Sequence, residues 1–518
     1  MRSLQDLKEF AQFTSKILTT EQMHAVDVNL REMGVSEAKL MENAGKAVSD
    51  FVGKNFSHDK RILVVCGLGN NGGDGFVAAR NLSLNREITI ALLGNKSEIK
   101  TPESRNLFSS LLTISNIAVV ENAFGMMREL LKESDVVIDA IFGVGFHGKM
   151  DERVAEAIRQ VNKSRTKVVA VDVPSGLSSS PENGNEVINA DHTITFHKMK
   201  DVLVRSKNAG KVSVVDVGIP IEAELICGKG ELELAARPRN IYSGKHDNGR
   251  TIIIGGNDRF HGAPILASLS SRMTLAALRV GLGYAVTCVP QSVAPIAKSI
   301  SPNLIVCKFA GENLSMQDAK MLKAEIDKAQ SVVIGPGLGK DEDSQKAAAE
   351  LIKYSVGKGK RIIVDADSIF SLRFIKKKLG EKAIITPNDK EFLSLSKTKL
   401  DARDLRQRVK AAMQVANKLG TNVILKGHES IITDGTRLKI SQSKTAALAT
   451  FGTGDILGGI LGGYAALNDD MFLVGAAGAC LLARAGDEMY KQKGNHGIAS
   501  DLVELIPTIL KEFDKNVD

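Results

Sequence analysis

The chain has 518 residues, 43% hydrophobic and 25% charged, ordinary fractions for a globular protein, which excludes disordered and collagen-like architectures. Its 68 basic and 60 acidic side chains leave a formal charge of +8, too mild a bias over this length to imply a nucleic-acid partner. Plentiful glycine (47), few aromatics (4%) and no tryptophan argue against stacking platforms for single-stranded nucleic acid and suit α/β folds built around a nucleotide site.

At about 100–200 residues per domain, the length predicts two to four domains. Five cysteines with no CxxC pair read as thiols in a reducing compartment. Asp6 and Glu9 interrupt the apolar residues Leu4, Leu7 and Phe10, so neither a signal nor a transit peptide is expected. The longest apolar run, Met471 to Ala483, stops at Arg484, short of the ~20 residues that span a bilayer. The expectation is a cytoplasmic protein with no membrane partner. The basic run Arg373 to Lys378 reads as a solvated helix end.

In chain order, apolar runs of strand length occur at 62–66, 88–93, 136–138, 168–171 and 192–196. A second series follows at 251–254, 285–289, 331–334, 361–364, 383–385 and 422–425. Such runs, separated by amphipathic helical stretches, predict parallel sheets covered on both faces. The fold expected is therefore two consecutive three-layer α/β domains, residues 1–225 and 226–518, with the junction near 221–235.

The run Cys66 to Gly75 (CGLGNNGGDG) follows a strand and opens a helix. Its glycines let the backbone turn tightly, and the helix N–H groups face an anion. Formally it satisfies GxGxxG, but no acid follows the next strand at Leu93-Gly94-Asn95 to bind ribose hydroxyls, so an ordinary dinucleotide reading is weak. Two further strands run into polar residues, at Asp139 and at Asp172-Val173-Pro174-Ser175. Ligands of open α/β sheets sit at the carboxyl ends of the strands. Asn71, Asp139 and Ser175 are thus candidate oxygen ligands for a hard cation, and Asp172 is a candidate general acid or base.

These residues lie in runs that closely resemble the NAD(P)H-hydrate epimerase family: LMENAG (40–45), CGLGNNGGDGFVAAR (66–80), DAIFGVG (139–145), DVPSGL (172–177) and ADHTITFHKMK (190–200). The resemblance covers about residues 18–220 and implies a Rossmann-like domain. It implies that Asn70, Asn71, Gly72, Gly73, Asp74, Gly143, Val144, Gly145, Phe146, His147, Gly148, Lys149 and Asp172 contact a hydrated nicotinamide cofactor. It also implies a potassium ion on Asn71, Asp139 and Ser175, and interconversion of R and S hydrates by inversion at the hydrated carbon. Asp172 is the proton-transfer candidate, with Lys198 as accessory.

In the second half, Gly452-Thr453-Gly454-Asp455 precedes a long apolar helix. Backbone N–H groups there suit phosphate oxygens, and Asp455 suits a base that deprotonates a hydroxyl attacking a phosphoryl group. Glycine-rich strand exits at 255–256 and 335–339, without GxxxxGK[ST], exclude a P-loop ATPase and fit a ribokinase-like sheet. With Ala485-Gly486-Asp487, Ala499-Ser500-Asp501 and Ile506-Pro507, these motifs resemble the ADP-dependent NAD(P)H-hydrate dehydratase family over about residues 237–510. That resemblance implies nucleotide contacts at Lys426, Gly427, His428, Glu429, Ser430 and Gly454, and hydrate contacts at Ala263, Gly337 and Asp455, with Asn388 a substrate-contact candidate at the position of the family's substrate-touching His. The implied reaction uses ADP with Mg2+ to phosphorylate the ring hydroxyl of the S hydrate and expel phosphate. The partners implied are the hydrates NADHX and NADPHX and the nucleotide.

One departure keeps an alternative open. Where that family usually reads TPHPGE, this chain has Thr386-Pro387-Asn388-Asp389-Lys390-Glu391. The Asn-x-x-Glu spacing resembles true small-molecule kinases of the same fold, which would use Asn388 and Glu391 with Asp455 as base. A non-catalytic nucleotide-binding module is a third reading, but neither NNGGD nor GTGD is degenerate. The Gly/Ala-rich helices at 456–486 leave room for subunit packing, so a homo-oligomer is expected.

Overall fold

The structure is a computed structural model that describes residues 7–179, 184–257 and 263–517. By contact density the chain divides into two units. Ser15–Pro220 forms one; Ile221 onward forms the other, joined by the N-terminal residues up to Thr14. The sequence boundary at 225/226 assigns those first residues to the other side. They belong with the later unit because Phe10, 4% exposed, buries in its core, with Leu7 and Phe13 packed alongside.

In the first unit, strands β1 (Arg61–Cys66), β2 (Glu87–Leu92), β3 (Ile117–Glu121), β4 (Val136–Ala140), β5 (Lys167–Val171), β6 (His192–Phe196) and β7 (Lys211–Val215) form one sheet. Its order is β3-β2-β1-β4-β5-β6-β7, and every pairing is parallel. Helices pack on both faces, so strands such as Ile62–Cys66 are apolar throughout and each buried Val or Ile stabilises by ~1.5–3 kcal/mol. Helix α1 (Thr20–Glu32) starts at a Thr19–Gln22 capping box, α2 (Glu37–Asn55) at Ser36, and α3 (Asn70–Leu82) directly after the glycine turn. The chain moves outward from β1 to β3 and returns to β4 on the other side of β1. That reversal opens a crevice beyond Cys66 and Ala140, where such sheets bind ligands.

In the later unit, β8 (Arg250–Ile254), β9 (Tyr284–Pro290), β10 (Ile305–Phe309), β11 (Ser331–Ile334), β12 (Arg361–Val364), β13 (Ala383–Ile385), β14 (Asn422–Leu425), β15 (Glu429–Thr433) and β16 (Leu438–Gln442) form a second sheet. The order is β10-β9-β8-β11-β12-β13-β14-β15-β16, with its reversal between β8 and β11. The expectation of purely parallel sheets fails at one edge: β14–β15 and β15–β16 pair antiparallel. Only the short turn Asp434 to Arg437 joins β15 to β16, too little chain for a crossover. The edge strands β3 and β10 are also absent from the apolar runs, because each is half-exposed and mixed in polarity.

The helices that carry the later site are α4 (Ala263–Arg279), α5 (Asp389–Ser396), α6 (Leu405–Leu419), α7 (Thr453–Leu467) and α8 (Met471–Lys493). The glycines of α7 serve packing inside the unit. A Cβ on Gly459 would lie 2.1 Å from the Met273 carbonyl oxygen of α4, and one on Gly462 would lie 2.7 Å from Val333. The Gly/Ala pattern therefore explains close helix packing and lends no support to subunit contacts. Among the described residues, no helix is long and apolar enough to cross a membrane. Replacing Gly459 by Ala should lower stability by about 1–3 kcal/mol, read as a lower midpoint of thermal unfolding; an unchanged midpoint would show that α4 yields freely.

Candidate active sites

In the first unit, the crevice is a cleft of about 880 Å³ lined by residues of α1, α2, the turn into α3 and the exits of β2, β4, β5 and β6. It gathers Asn70, Asn71, Asp74, Gly143, Val144, Gly145, Phe146, His147 and Asp172. Gly72, Gly73, Gly148 and Lys149 do not line it. Gly72 and Gly73 instead permit close packing, against the Gly67 carbonyl and against Met41 and Ser104. Phe142 and Phe146 stack at 4.2 Å and 15° along one wall.

Asp172 follows β5 directly with φ +66°, a conformation that costs a non-glycine residue about 1–3 kcal/mol and clusters at functional sites. Its amide donates to the Ile194 carbonyl at 2.8 Å, and its carboxylate accepts from Lys200 Nζ at 2.7 Å, from Thr195 Oγ1 at 3.2 Å and from the Val144 amide at 3.3 Å. Lys200, 1% exposed, directs its remaining donors to Thr195 Oγ1 (2.9 Å) and the Phe196 carbonyl (2.6 Å). The lysine at the Asp172 carboxylate is thus Lys200; Lys198 does not line the cleft. The two stand two residues apart, and Lys200, backbone-paired in parallel with Leu18, is the one whose Nζ reaches Asp172.

Asp139 is 1% exposed and accepts from the Ser175 amide (2.8 Å), the Ser175 hydroxyl and the Ile141 amide (3.3 Å). Burial outweighs these bonds and pushes its carboxyl up to about 6, with no basic group among the influences on it. Asn71 lies close to the strap at Gly143: its Oδ1 is 3.1 Å from where a Cβ on Gly143 would sit, and its buried Nδ2 has no partner among the described residues. An uncompensated carboxylate amid neutral oxygen donors is the chemistry that suits a hard monovalent cation.

The sequence did not single out Asp27, His24 and Arg31 of α1, which line the same cleft. Asp27 had a legible signal, because it falls at helical spacing between Met23 and Leu30, both buried. Burial pushes its carboxyl up to about 6 against the pull of Arg31.

In the later unit, Asp455 sits in the first turn of α7, after Gly452 at φ +91°. The first intrahelical bond to the cap is Ile456 N to Gly452 O, which leaves the earlier amides open to an anion. Beneath this turn lies Asp365, 1% exposed, accepting from Thr386 Oγ1 and from Lys426 Nζ at 2.9 Å. A Cβ on Gly454 would sit 3.6 Å from Lys426 Nζ, and one on Gly458 3.3 Å from Asp365 Oδ2. Glu391 stands 3.9 Å from the same lysine. Burial alone would lower the Lys426 ammonium, but Asp365 and Glu391 outweigh it and hold it charged. For Asp455, burial and the charge of Asp365 exceed the help of Lys426 and Arg272, so its carboxyl is pushed up to about 7.

Arg408, 2% exposed, fastens this cluster by pairing with Asp389 and donating to the Lys426 carbonyl at 2.9 Å. Asn388 caps α5: its Oδ1 accepts from the Lys390 and Glu391 amides at 3.0 Å, while Glu391 accepts from the Asn388 amide. Gly427 and His428 form an exposed turn, whereas Glu429 and Ser430 already belong to β15. Gly337 follows β11 at φ +65°, and Gly454 lies in the α7 turn. Ala263 opens α4, but its side chain falls outside the described ones.

Fold and sites together define an enzyme of two open α/β units, each with an aspartate and a lysine paired at the carboxyl edge of its sheet. Residues 37–202 match the family model described as YjeF-related protein N-terminus, and residues 251–508 match that of NAD(P)H-hydrate dehydratase. The chain is 35% identical over 509 residues to the bifunctional NAD(P)H-hydrate repair enzyme Nnr of Pyrobaculum aerophilum, covering 96% of this chain and 98% of that one. It is 35% identical over 500 residues to the protein of the same name from Archaeoglobus fulgidus, covering 95% and 98%. Among solved structures, the ADP/ATP-dependent NAD(P)H-hydrate dehydratase of Bacillus subtilis, co-crystallised with ATP and Mg2+, aligns with 21% identity and a TM-score of 0.46, covering 56% of this chain and 99% of that one. The chain belongs to the family of bifunctional NAD(P)H-hydrate repair enzymes.

Asp455 accepts a proton only when ionised. Dehydration should therefore gain kcat/KM with rising pH through about 7, losing about tenfold per pH unit below that point. A profile flat down to about pH 5 would remove Asp455 as the base.

Proposed function

We propose that the two units act in turn on hydrated NADH and NADPH. The first unit exchanges the R and S hydrates, and the later unit uses ADP to dehydrate the S hydrate, releasing AMP and phosphate. The observation that carries this reading is Asp455 set in an open helix turn above the Asp365–Lys426 pair. The ring hydroxyl attacks the terminal phosphoryl group as Asp455 takes its proton, and the Thr453 and Gly454 amides face the transferred oxygens. Phosphate then leaves far more readily than hydroxide, taking the C–O electron pair as the ring nitrogen's lone pair forms C=N+, and loss of a proton from the adjacent ring carbon to water returns that pair to nitrogen and restores the double bond. Lys426 organises this site through Asp365, the nucleotide lying along the turn at Gly427 and His428.

Asp365, Glu391 and Asp455 outnumber Lys426 and Arg272, which suits Mg2+ arriving on the nucleotide phosphates. Such an ion supplies charge neutralisation to the transferred group. In the first unit Asn71, Asp139 and Ser175 would hold K+, which supplies the countercharge that Asp139 lacks. The match of residues 251–508 to the dehydratase model favours this reading over a small-molecule kinase, and Asn388, committed to its helix cap, keeps only its amide N–H groups for a ligand. Five cysteines without a disulfide support a reducing, cytoplasmic setting.

The test is a mixture of R and S hydrates incubated with ADP and Mg2+, followed by absorbance of the reduced ring and chiral chromatography. Wild-type protein should recover all of the mixture. Asp455→Asn should abolish recovery and leave exchange intact, whereas Asp172→Ala should block exchange and leave conversion of pure S hydrate. No recovery by the wild type with ADP or ATP would remove the reading. Replacing K+ by a bulky organic cation should slow exchange and spare dehydration; equal loss of both would place the ion elsewhere.

A further inference from the structure

The first cleft presents more acid–base chemistry than Asp172 alone accounts for. Asp27, from α1, and Asp74, from α3, line the same cleft as Asp172. Asp172 is engaged by Lys200, Thr195 and Val144. Among the described residues, no hydrogen bond or ion pair engages the carboxyl group of Asp27, although it sits within the influence of Asp172 and Lys200 from the sheet and of His24 and Arg31 on its own helix. The guanidinium of Arg31 is tied to Glu37 at 2.6 Å, which turns it away from a direct pairing. An unengaged carboxyl group on the apolar face of a helix, directed at a ligand cleft, has no structural employment there.

We propose that Asp27 is the second acid–base group of hydrate epimerisation, exchanging roles with Asp172. This deepens, and rests on, the epimerase reading of the cleft. Inversion requires one bond at the hydrated carbon to break and to re-form from the other face. Protonated Asp27 gives its proton to the ring hydroxyl. The C–O bond breaks with its electron pair on oxygen, water is released, and the lone pair of the ring nitrogen forms a C=N+ bond. Water adds to the opposite face, the C=N pair returns to nitrogen, and the surplus proton passes to the Asp172 carboxylate. The reverse reaction runs with the two carboxyl groups exchanged, so no oxidant, reductant or other reactant is consumed.

The electrostatics agree with this division of labour. Burial, opposed by Arg31 and reinforced by Asp172, pushes Asp27 up to about 6, a value at which a carboxyl group both gives and takes protons near neutrality. Asp74 is held well above the ordinary carboxylate range by burial, by Asp172 and by Asp27, which fits it to donate a hydrogen bond rather than to cycle.

The experiment uses the full-length protein and chiral chromatography of the hydrates between about pH 5 and 8. Wild-type exchange should fall as pH rises through about 6, where Asp27 loses the proton it must give. Asp27→Asn should slow exchange about 10²-fold or more and abolish that dependence, with ADP-dependent conversion of pure S hydrate unchanged as the check on folding. A flat wild-type profile, an Asn variant within about threefold of wild type, or a slowed variant that keeps the dependence would each overturn the assignment. Should Asp27→Asn not fold, the wild-type profile decides alone. Absence of exchange by the wild type at every pH is a different failure, that of the epimerase reading itself, and takes the assignment with it.

Discussion

Each unit rests on one lysine set against a strand-end aspartate: Lys200 with Asp172 and Lys426 with Asp365. A buried carboxylate without a partner is strongly destabilising, and a buried pair is sustained only when its remaining donors are also satisfied. Lys200 meets that condition with Thr195 and the Phe196 carbonyl. Lys426 is held in place by its backbone bond to Pro387 and by Arg408 at its carbonyl. Once the lysine is committed, every further carboxyl group in the cluster faces burial without a countercharge of its own. Asp27 in one unit and Asp455 in the other are those groups, and both are driven toward neutral pH. The arrangement that stabilises the site thus also sets the proton affinities its chemistry needs.

The two sheets place these clusters by the same topological means. Each chain order reverses beside its first strand, and the polar residues that follow the strands gather at the same carboxyl edge of the sheet. The glycines in both motifs serve close approach more than ligand contact: Gly72 and Gly73 pack on the chain, and Gly458 and Gly459 let α7 descend onto Asp365 and α4.

Much of this is legible in the residues. Fully apolar strands announce themselves, because burial on both faces demands it, and the aspartates that follow Ile138 and Val171 mark the ligand edge. Half-exposed strands such as Ile117–Glu121 carry no such signal, and the antiparallel segment 429–442 alternates in polarity and lacks a continuous apolar run. Lys198 and Lys200 both follow β6 and are equally basic on paper; only the bonds of Lys200 to Asp172, Thr195 and the Phe196 carbonyl tell which is inward. Asn388 looks like a ligand because its spacing to Glu391 matches a kinase motif, yet the same spacing is a capping box, and the capping bonds are what the structure shows. Asp27 is legible only through its helical spacing between Met23 and Leu30, a faint signal because a lone aspartate in an amphipathic helix is usually solvent-facing.

A committed lysine leaves the neighbouring carboxyl group with a proton affinity near neutrality. Carbon-13 NMR titration of the Asp455 carboxyl, assigned by its loss in Asp455→Asn, tests this without turnover. A midpoint near 7 is the predicted result; a midpoint near the ordinary aspartate value of about 4 would contradict the account.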